Sequence, residues 1–227
     1  ELAAFLKNLG LKKDVPLQLQ VNGNASCEGS LKDPLEINCN AKINSPRLWV
    51  HTDPPKKKTI VEALDLRGQG QAKITAHEVD YKAELSVGKN SKGSSSGNIN
   101  YETGFKINYT GEQVNFADVK NLADMKFEGT AQITGSTTGN ADWATIAMNV
   151  DAKDFWLEDY PFGQVTGKVG YKAGVLTFDN LQGQYQVSRY LGAVTVNLQK
   201  DQLHVKGEIP FADLRDVQSM FQRKIQL

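Results

Sequence analysis

Long apolar runs are missing from this sequence. No stretch approaches the roughly 18 consecutive apolar residues that a membrane-spanning helix requires. An excess of either charge is missing too. The 26 Lys and Arg offset 26 Asp and Glu, which removes the electrostatic footprint of phosphate-backbone binding and any general attraction to an anionic membrane surface. Nucleic acid is not an expected partner. Cysteine is scarce. Two residues cannot make a disulfide scaffold, and the spacing of Cys27 and Cys39 fits neither a CxxC redox motif nor a zinc site. The three histidines, His51, His77 and His204, are scattered, and no GxSxG element, Walker loop or metal-ligand spacing accompanies them. The carboxylate pairs Glu158/Asp159 and Asp213/Asp216 read as turn solvation and helix-end electrostatics rather than glycosidase chemistry. An enzyme reading therefore has no constellation behind it, and no cofactor or metal is expected. The start at Glu1 carries no initiator Met, basic n-region or apolar h-region, and reads as a fragment or processed product.

What is present is alternation. Apolar residues make up 40% and charged residues 23%, enough for a folded chain that stays hydrated. From Leu17 to Glu28 every odd position is apolar, Gly or Cys and every even one polar, the period of a half-buried strand. After Lys32-Asp33-Pro34 the same parity resumes through Leu35, Ile37, Cys39, Ala41 and Ile43, which predicts a hairpin. Similar alternation recurs along the chain and predicts about a dozen strands. Helical spacing is limited to Leu2/Phe5/Leu6/Leu9, Val119/Leu122/Ala123 and Leu214/Val217/Met220/Phe221. The Gly- and Ser-rich run Lys89 to Asn98 reads as a flexible loop, and Asp53-Pro54-Pro55 with Lys56 to Lys58 as a solvated connection. Phe155, Trp156, Tyr160 and Phe162 read as an aromatic mini-core or plug in a connection, rather than a carbohydrate platform.

The sequence also repeats. Asn115-Phe116-Ala117-Asp118-Val119 returns as Pro210-Phe211-Ala212-Asp213-Leu214, Leu66-Arg67-Gly68-Gln69 as Leu181-Gln182-Gly183-Gln184, and the spacing of Gly23 and Gly29 as that of Gly129 and Gly135. The order is kept, so each unit is several strands closed by a short helix. The expected division is a closing helix over 1–14, one repeat over 15–124 and a second over 125–227. Three short helices cannot cover a dozen half-apolar strands. Either a second sheet packs on the first as a sandwich, or the sheet leaves an apolar trough for an apolar ligand.

Several segments resemble a known family: Val15 to Gly23, the Gly29 to Pro34 turn, Phe162-Gly163-Gln164-Val165-Thr166-Gly167-Lys168-Val169, Gly174 to Gly183 and Ile209 to Leu214. They look like the AsmA-like proteins of the Gram-negative envelope, in particular the TamB branch of the translocation and assembly module. The resemblance implies an all-β repeating groove, an elongated, twisted antiparallel sheet curled into a half-pipe with short helices closing each repeat. It implies lipid transport: phospholipid acyl chains carried through the periplasm by an inner-membrane-anchored protein during outer-membrane biogenesis. Implied partners are phospholipid, neighbouring repeats of a larger chain and an outer-membrane β-barrel protein. Such a family has no catalytic residues to carry over.

The resemblance implies that the apolar-parity positions of the strands face lipid. This set comprises Leu17, Leu19, Val21, Leu35, Ile37, Ala41, Ile43, Leu64, Leu66, Ile74, Leu85, Val87, Ile99, Tyr101, Phe105, Ile107 and Tyr109 in the first half. In the second half it comprises Phe127, Ala131, Ile133, Ile146, Met148, Val150, Val165, Val169, Tyr171, Leu176, Phe178, Val194, Val196, Leu198, Leu203 and Val205. Parity also bears on the cysteines. If Leu31 pairs with Leu35, Cys27 and Cys39 stand opposite each other on one face, within reach of a cross-strand disulfide. A secreted β-sandwich repeat acting as an adhesin or glycan binder is the competing expectation.

Overall fold

The computed structural model describes residues 17–32, 34–51, 59–122, 125–140 and 143–222. They form an all-β chain of fourteen strands in one antiparallel sheet. In chain order the strands are β1 (Leu17–Leu19), β2 (Asn22–Ser30), β3 (Glu36–His51), β4 (Thr59–Thr75), β5 (Glu78–Val87), β6 (Ser91–Asn100) and β7 (Gly104–Asn115). There follow a 3₁₀ turn (Phe116–Asp118), β8 (Val119–Leu122), β9 (Phe127–Gly139), β10 (Ala144–Leu157), β11 (Tyr160–Lys172), β12 (Val175–Tyr185), β13 (Ser188–Asn197), β14 (Gln202–Phe211) and helix α1 (Leu214–Gln222). The spatial order is β1-β3-β4-β5-β6-β7-β9-β10-β11-β12-β13-β14, with β2 also on β3 and β8 on β4.

Alternation predicts the strands and the resemblance the elongated antiparallel sheet that they form, and among the described residues no second sheet packs on it. The sandwich alternative is therefore not the architecture formed. The sheet is open and uncurled, so its apolar side is a face rather than the inside of a half-pipe. Register shifts interrupt the ladders at several places, among them between Lys92 and Gly93, Gly111 and Val114, Lys153 and Trp156, Thr166 and Lys168, Phe178 and Leu181, and Arg189 and Leu191. These six fall toward the margin where β5 turns into β6, and a bulge bends a strand only where it sits. Asp154 and Asn180 take left-handed φ of 49° and 53° beside two of these shifts, a conformation that Asp and Asn tolerate better than most residues.

Several expectations are corrected. The Lys89 to Asn98 run is mostly strand β6, not a loop. Its Gly and Ser residues are poor strand formers alone, but β5 and β7 supply a complete ladder on both sides. Val119 and Leu122 belong to strand β8 rather than a helix, because Val61 to Ala63 of β4 offers a free edge there. Ala123 lies outside the described residues, as do Leu2, Phe5, Leu6 and Leu9 of the first helical stripe and Lys56 to Lys58. The aromatic segment 155–162 is no loop. Trp156 pairs with Pro161 and Leu157 with Tyr160 across a two-residue turn, making a β10–β11 hairpin. The continuous strand expected from Leu17 to Glu28 is interrupted at Gln20 and Val21. The third helical stripe is helical, as α1.

Candidate functional site

Pairing register places most of the parity-selected residues on one face. One transverse row runs Ala25, Ala41, Gly70, Ala83, Ser95, Tyr109, Gly135, Met148, Val169, Phe178, Val194, Val205, each directly opposite the next. The row beside it runs Cys27, Cys39, Ala72, Tyr81, Gly97, Ile107, Thr137, Ile146, Tyr171, Leu176, Val196, Leu203. Ile37, Ile74, Val79, Ile99 and Phe105 continue the face to one side, and Ile43, Gly68, Leu85 and Gly93 to the other. Ile133, Val150 and Gly167 carry the latter row into the second half.

At several glycines along these rows the neighbouring side chains lie across the vacant position. A carbon added at Gly68 would meet Ile43 Cγ1 and Leu85 Cδ2 at 3.1 Å each, and one at Gly135 would meet Met148 Cβ at 2.6 Å and Tyr109 Cε2 at 2.8 Å. Tyr81 lies beside Gly97 and shares a 2.9 Å hydrogen bond with Ser95. Lateral packing of this kind leaves most of the face half-buried. Among the described residues the fully buried hydrophobics are only Ala63, Ala131 and Ala152. A two-layer protein would bury its Ile, Leu and Phe side chains completely.

Some predicted residues stand apart from the rows. Tyr101 and Leu198 fall in turns, and Val21 and Leu35 just precede β2 and β3. Leu64 lies beyond the left-handed Asp65, and Leu66 opposite Ser45. Val87 pairs with Ser91 at the turn end of β5, and Ala131 and Val165 both pair with Ala152 next to the bulges. Leu17 and Leu19 are in β1, and their side chains lie outside the described residues. Phe127 belongs instead to an aromatic row along the bulged margin: Phe116, Phe127 and Phe155 meet at centroid distances of 5.7–5.9 Å, Phe155 meets Phe162 at 6.0 Å, and Phe162 meets Tyr190 at 5.8 Å. Tyr190 donates a 2.7 Å hydrogen bond to the Phe162 carbonyl, and burial raises its phenol pKa. Burial likewise raises that of Tyr109, against a hydrogen bond with Thr137.

The opposite face is mainly polar, with Ala147, Val175 and Ala193 as apolar exceptions in the second half. Asn24, Lys42, Gln69, Glu84, Ser94 and Thr110 form one cross-strand row, and Gln69 Nε2 donates to Glu84 Oε2 at 2.8 Å. Lys73 pairs with Glu36 at 3.0 Å, and its hydrogen bond and charge lower the Glu36 pKa. His204 sits opposite Thr195 on this side, and His77 is exposed in a turn. An open depression of about 880 Å³ is lined by the polar row residues of β2 to β7 together with Ala25, Ala41, Gly70, Ala83, Ser95 and Tyr109. Only Ala41 and Tyr109 of the predicted lipid-facing set line it. Among the described residues no group of three or more His, Cys, Asp or Glu is arranged to hold a metal ion.

Two devices pin the strands. Cys27 and Cys39 are disulfide-bonded across directly opposed positions of β2 and β3, with Cα atoms 4.1 Å apart. The second device occurs twice. Asp118 Oδ2 accepts from Ser91 N (2.8 Å), Ser91 Oγ (2.9 Å) and Asn90 N (3.0 Å), and Oδ1 accepts from Lys89 N (3.2 Å). Asp216 Oδ2 accepts from Ser188 Oγ (2.7 Å), Ser188 N (2.9 Å) and Val187 N (3.2 Å). The Ser Oγ then accepts from Asn115 N in the first case and Asp213 N in the second, both at 2.9 Å. Asn115 and Asp213 also cap the turns that follow. The structural counterpart of Asp118 is thus Asp216, three residues beyond the Asp213 that sequence matching selects. Burial opposes ionisation of Asp118, but the hydrogen bonds from Lys89, Ser91 and Asn90 outweigh it and lower its pKa. This latch had no sequence signature beyond the repeated Asp, since its Ser partner lies more than twenty residues upstream. Comparison with protein-family models, curated proteins and solved structures gives no match.

Proposed function

We propose that this chain is part of a bridge-like lipid transport protein of the AsmA-like, TamB-type kind, carrying phospholipid acyl chains along its apolar face between the inner and outer membranes. The observation that carries the reading is the single-layer sheet: cross-strand rows of Ile, Leu, Val, Met, Phe and Tyr, interspersed with Ala, Gly and Ser, are aligned on one side, and no second layer among the described residues covers them. An acyl chain is a string of CH₂ groups, each worth about 0.8 kcal/mol when removed from water. A continuous apolar face therefore stabilises lipid without specific polar contacts, and low specificity suits a conduit. Twelve strands spaced about 4.8 Å apart extend the face by roughly 50 Å, more than one lipid tail requires. The repeated latch supports a division into units over 15–124 and 125–227. A periplasmic setting, with an inner-membrane anchor elsewhere in the protein, belongs to the same proposal and is compatible with the disulfide. No helix among the described residues is long and apolar enough to cross a membrane.

The test is lipid capture. Native mass spectrometry of the purified chain should find co-purified phospholipid. In the Ile37→Asp/Ile133→Asp variant, photo-crosslinking to lipid should fall while the β-type circular dichroism persists, because both side chains are only half-buried. Unchanged crosslinking in that variant would rule out lipid on this face.

A further inference from the structure

We propose that the β14 edge of one molecule binds the β1/β2 edge of a second copy of this chain. The β7–β9 junction shows how such an edge is closed. There β9 pairs along β7 from Phe105↔Gly139 to Asn115↔Thr130, and its Phe127 stacks on Phe116 at 5.9 Å. The strand β14 is the counterpart of β7: each follows a latched Ser strand and leads into a capped turn carrying the latch Asp. No described strand closes it. Every residue from Gln202 to Phe211 is exposed. Both candidate counterparts of Phe116 are uncovered as well, with Phe211 54% and Leu214 83% exposed.

The closing strand is already present at the other end of the molecule. Val21-Asn22-Gly23-Asn24-Ala25-Ser26-Cys27-Glu28-Gly29-Ser30 matches Phe127-Glu128-Gly129-Thr130-Ala131-Gln132-Ile133-Thr134-Gly135-Ser136 in its two glycines, its Ala, its Ser and its parity. The β2 segment is thus the counterpart of β9, and it too is exposed along its whole length with one edge unpaired among the described strands. Val21, the counterpart of Phe127, is 43% exposed and would reach the Phe211/Leu214 patch as Phe127 reaches Phe116. Pro210 withdraws one donor near the end of β14 and leaves the remaining length for pairing. Because the two edges differ, the contact is head-to-tail and does not close on itself.

Sedimentation velocity in detergent-free buffer should show mass increasing with concentration through successive oligomers. Phe211→Glu and Val21→Glu should each weaken self-association by about tenfold or more, each tenfold corresponding to about 1.4 kcal/mol. Both side chains are exposed, and unchanged circular dichroism of each variant is the folding control. The Phe211→Glu protein keeps an intact β2 edge and the Val21→Glu protein an intact β14 edge, so their mixture should form a one-to-one dimer that grows no further. A wild-type chain that stays monomeric at every concentration overturns the proposal. So does association that neither substitution weakens, or a mixture of the two variants that fails to pair.

Discussion

At the residue scale the sheet depends on a few polar groups placed where its strands turn. Asp216 is 2% exposed and satisfies the Val187 and Ser188 amides and the Ser188 hydroxyl. Replacing it with Ala strands these donors, so Asp216→Ala should cost about 1–3 kcal/mol in urea denaturation. Exposed Glu112, outside the latches, should tolerate Ala with no measurable loss. Asp118 adds a pH dependence whose sign is fixed by its lowered folded-state pKa. Its contribution is fully present above the ordinary carboxylate range of about 4 and is lost as pH falls through that range toward the folded value. Denaturation midpoints of wild type and Asp118→Asn should therefore differ at neutral pH and converge in acid. Equal differences at pH 7 and pH 2.5 would remove Asp118 as a source of acid lability. Gly183 makes a steric prediction. A Cβ there would run into the Tyr190 ring, which covers the glycine and donates to the Phe162 carbonyl. Gly183→Ala should destabilise by about 1–3 kcal/mol, and a Tyr190→Ala background should relieve most of that loss in a double-mutant cycle.

At the scale of elements, β2 is an edge strand with little support. It has a single neighbour, its side chains are all exposed, and beyond the backbone ladder with β3 its one covalent tie is the Cys27–Cys39 bond. Closing so short a loop stabilises by about 3 kcal/mol at most, and that gain is confined to this hairpin. Reduction should accordingly raise amide exchange in Asn22 to Ser30 while leaving the β9–β11 amides unchanged. Uniform loss of protection would mean that the hairpin is part of one cooperative unit with the rest of the sheet. The hairpin was also the most legible element, because odd-numbered parity on both sides of the Lys32-Asp33-Pro34 turn marked the face, and pairing Leu31 with Leu35 across that turn gave the register. The strand β6 was illegible for the opposite reason. Gly93, Ser94, Ser95, Ser96 and Gly97 carry no strand propensity, and their conformation is imposed by β5 and β7. The bulged margin left a weak trace, Asp and Asn at left-handed positions, that parity counting passes over. Most candidate face residues were found by parity up to the bulges, and it misplaced residues such as Phe127 beyond them.

For the whole molecule, the single layer has a thermodynamic consequence. The heat capacity of unfolding and the urea m-value both scale with the surface newly exposed, chiefly apolar for the former. Here the half-buried rows stay partly hydrated in the native state, and the fully buried hydrophobics among the described residues are three alanines. Calorimetry should therefore give a heat capacity change per residue below the roughly 12–15 cal/mol/K of ordinary globular proteins, with an m-value that is low for 227 residues. Lysophospholipid below its micellar concentration should raise both quantities and the melting temperature, because a ligand held only by the native face adds to the apolar surface exposed on unfolding and shifts the equilibrium by mass action. The Ile37→Asp/Ile133→Asp variant should respond less. A normal heat capacity change without lipid would indicate that the apolar face is already covered in solution. Sedimentation can then identify whether the cover is a second chain, since a dilute, monomeric sample should recover the low value.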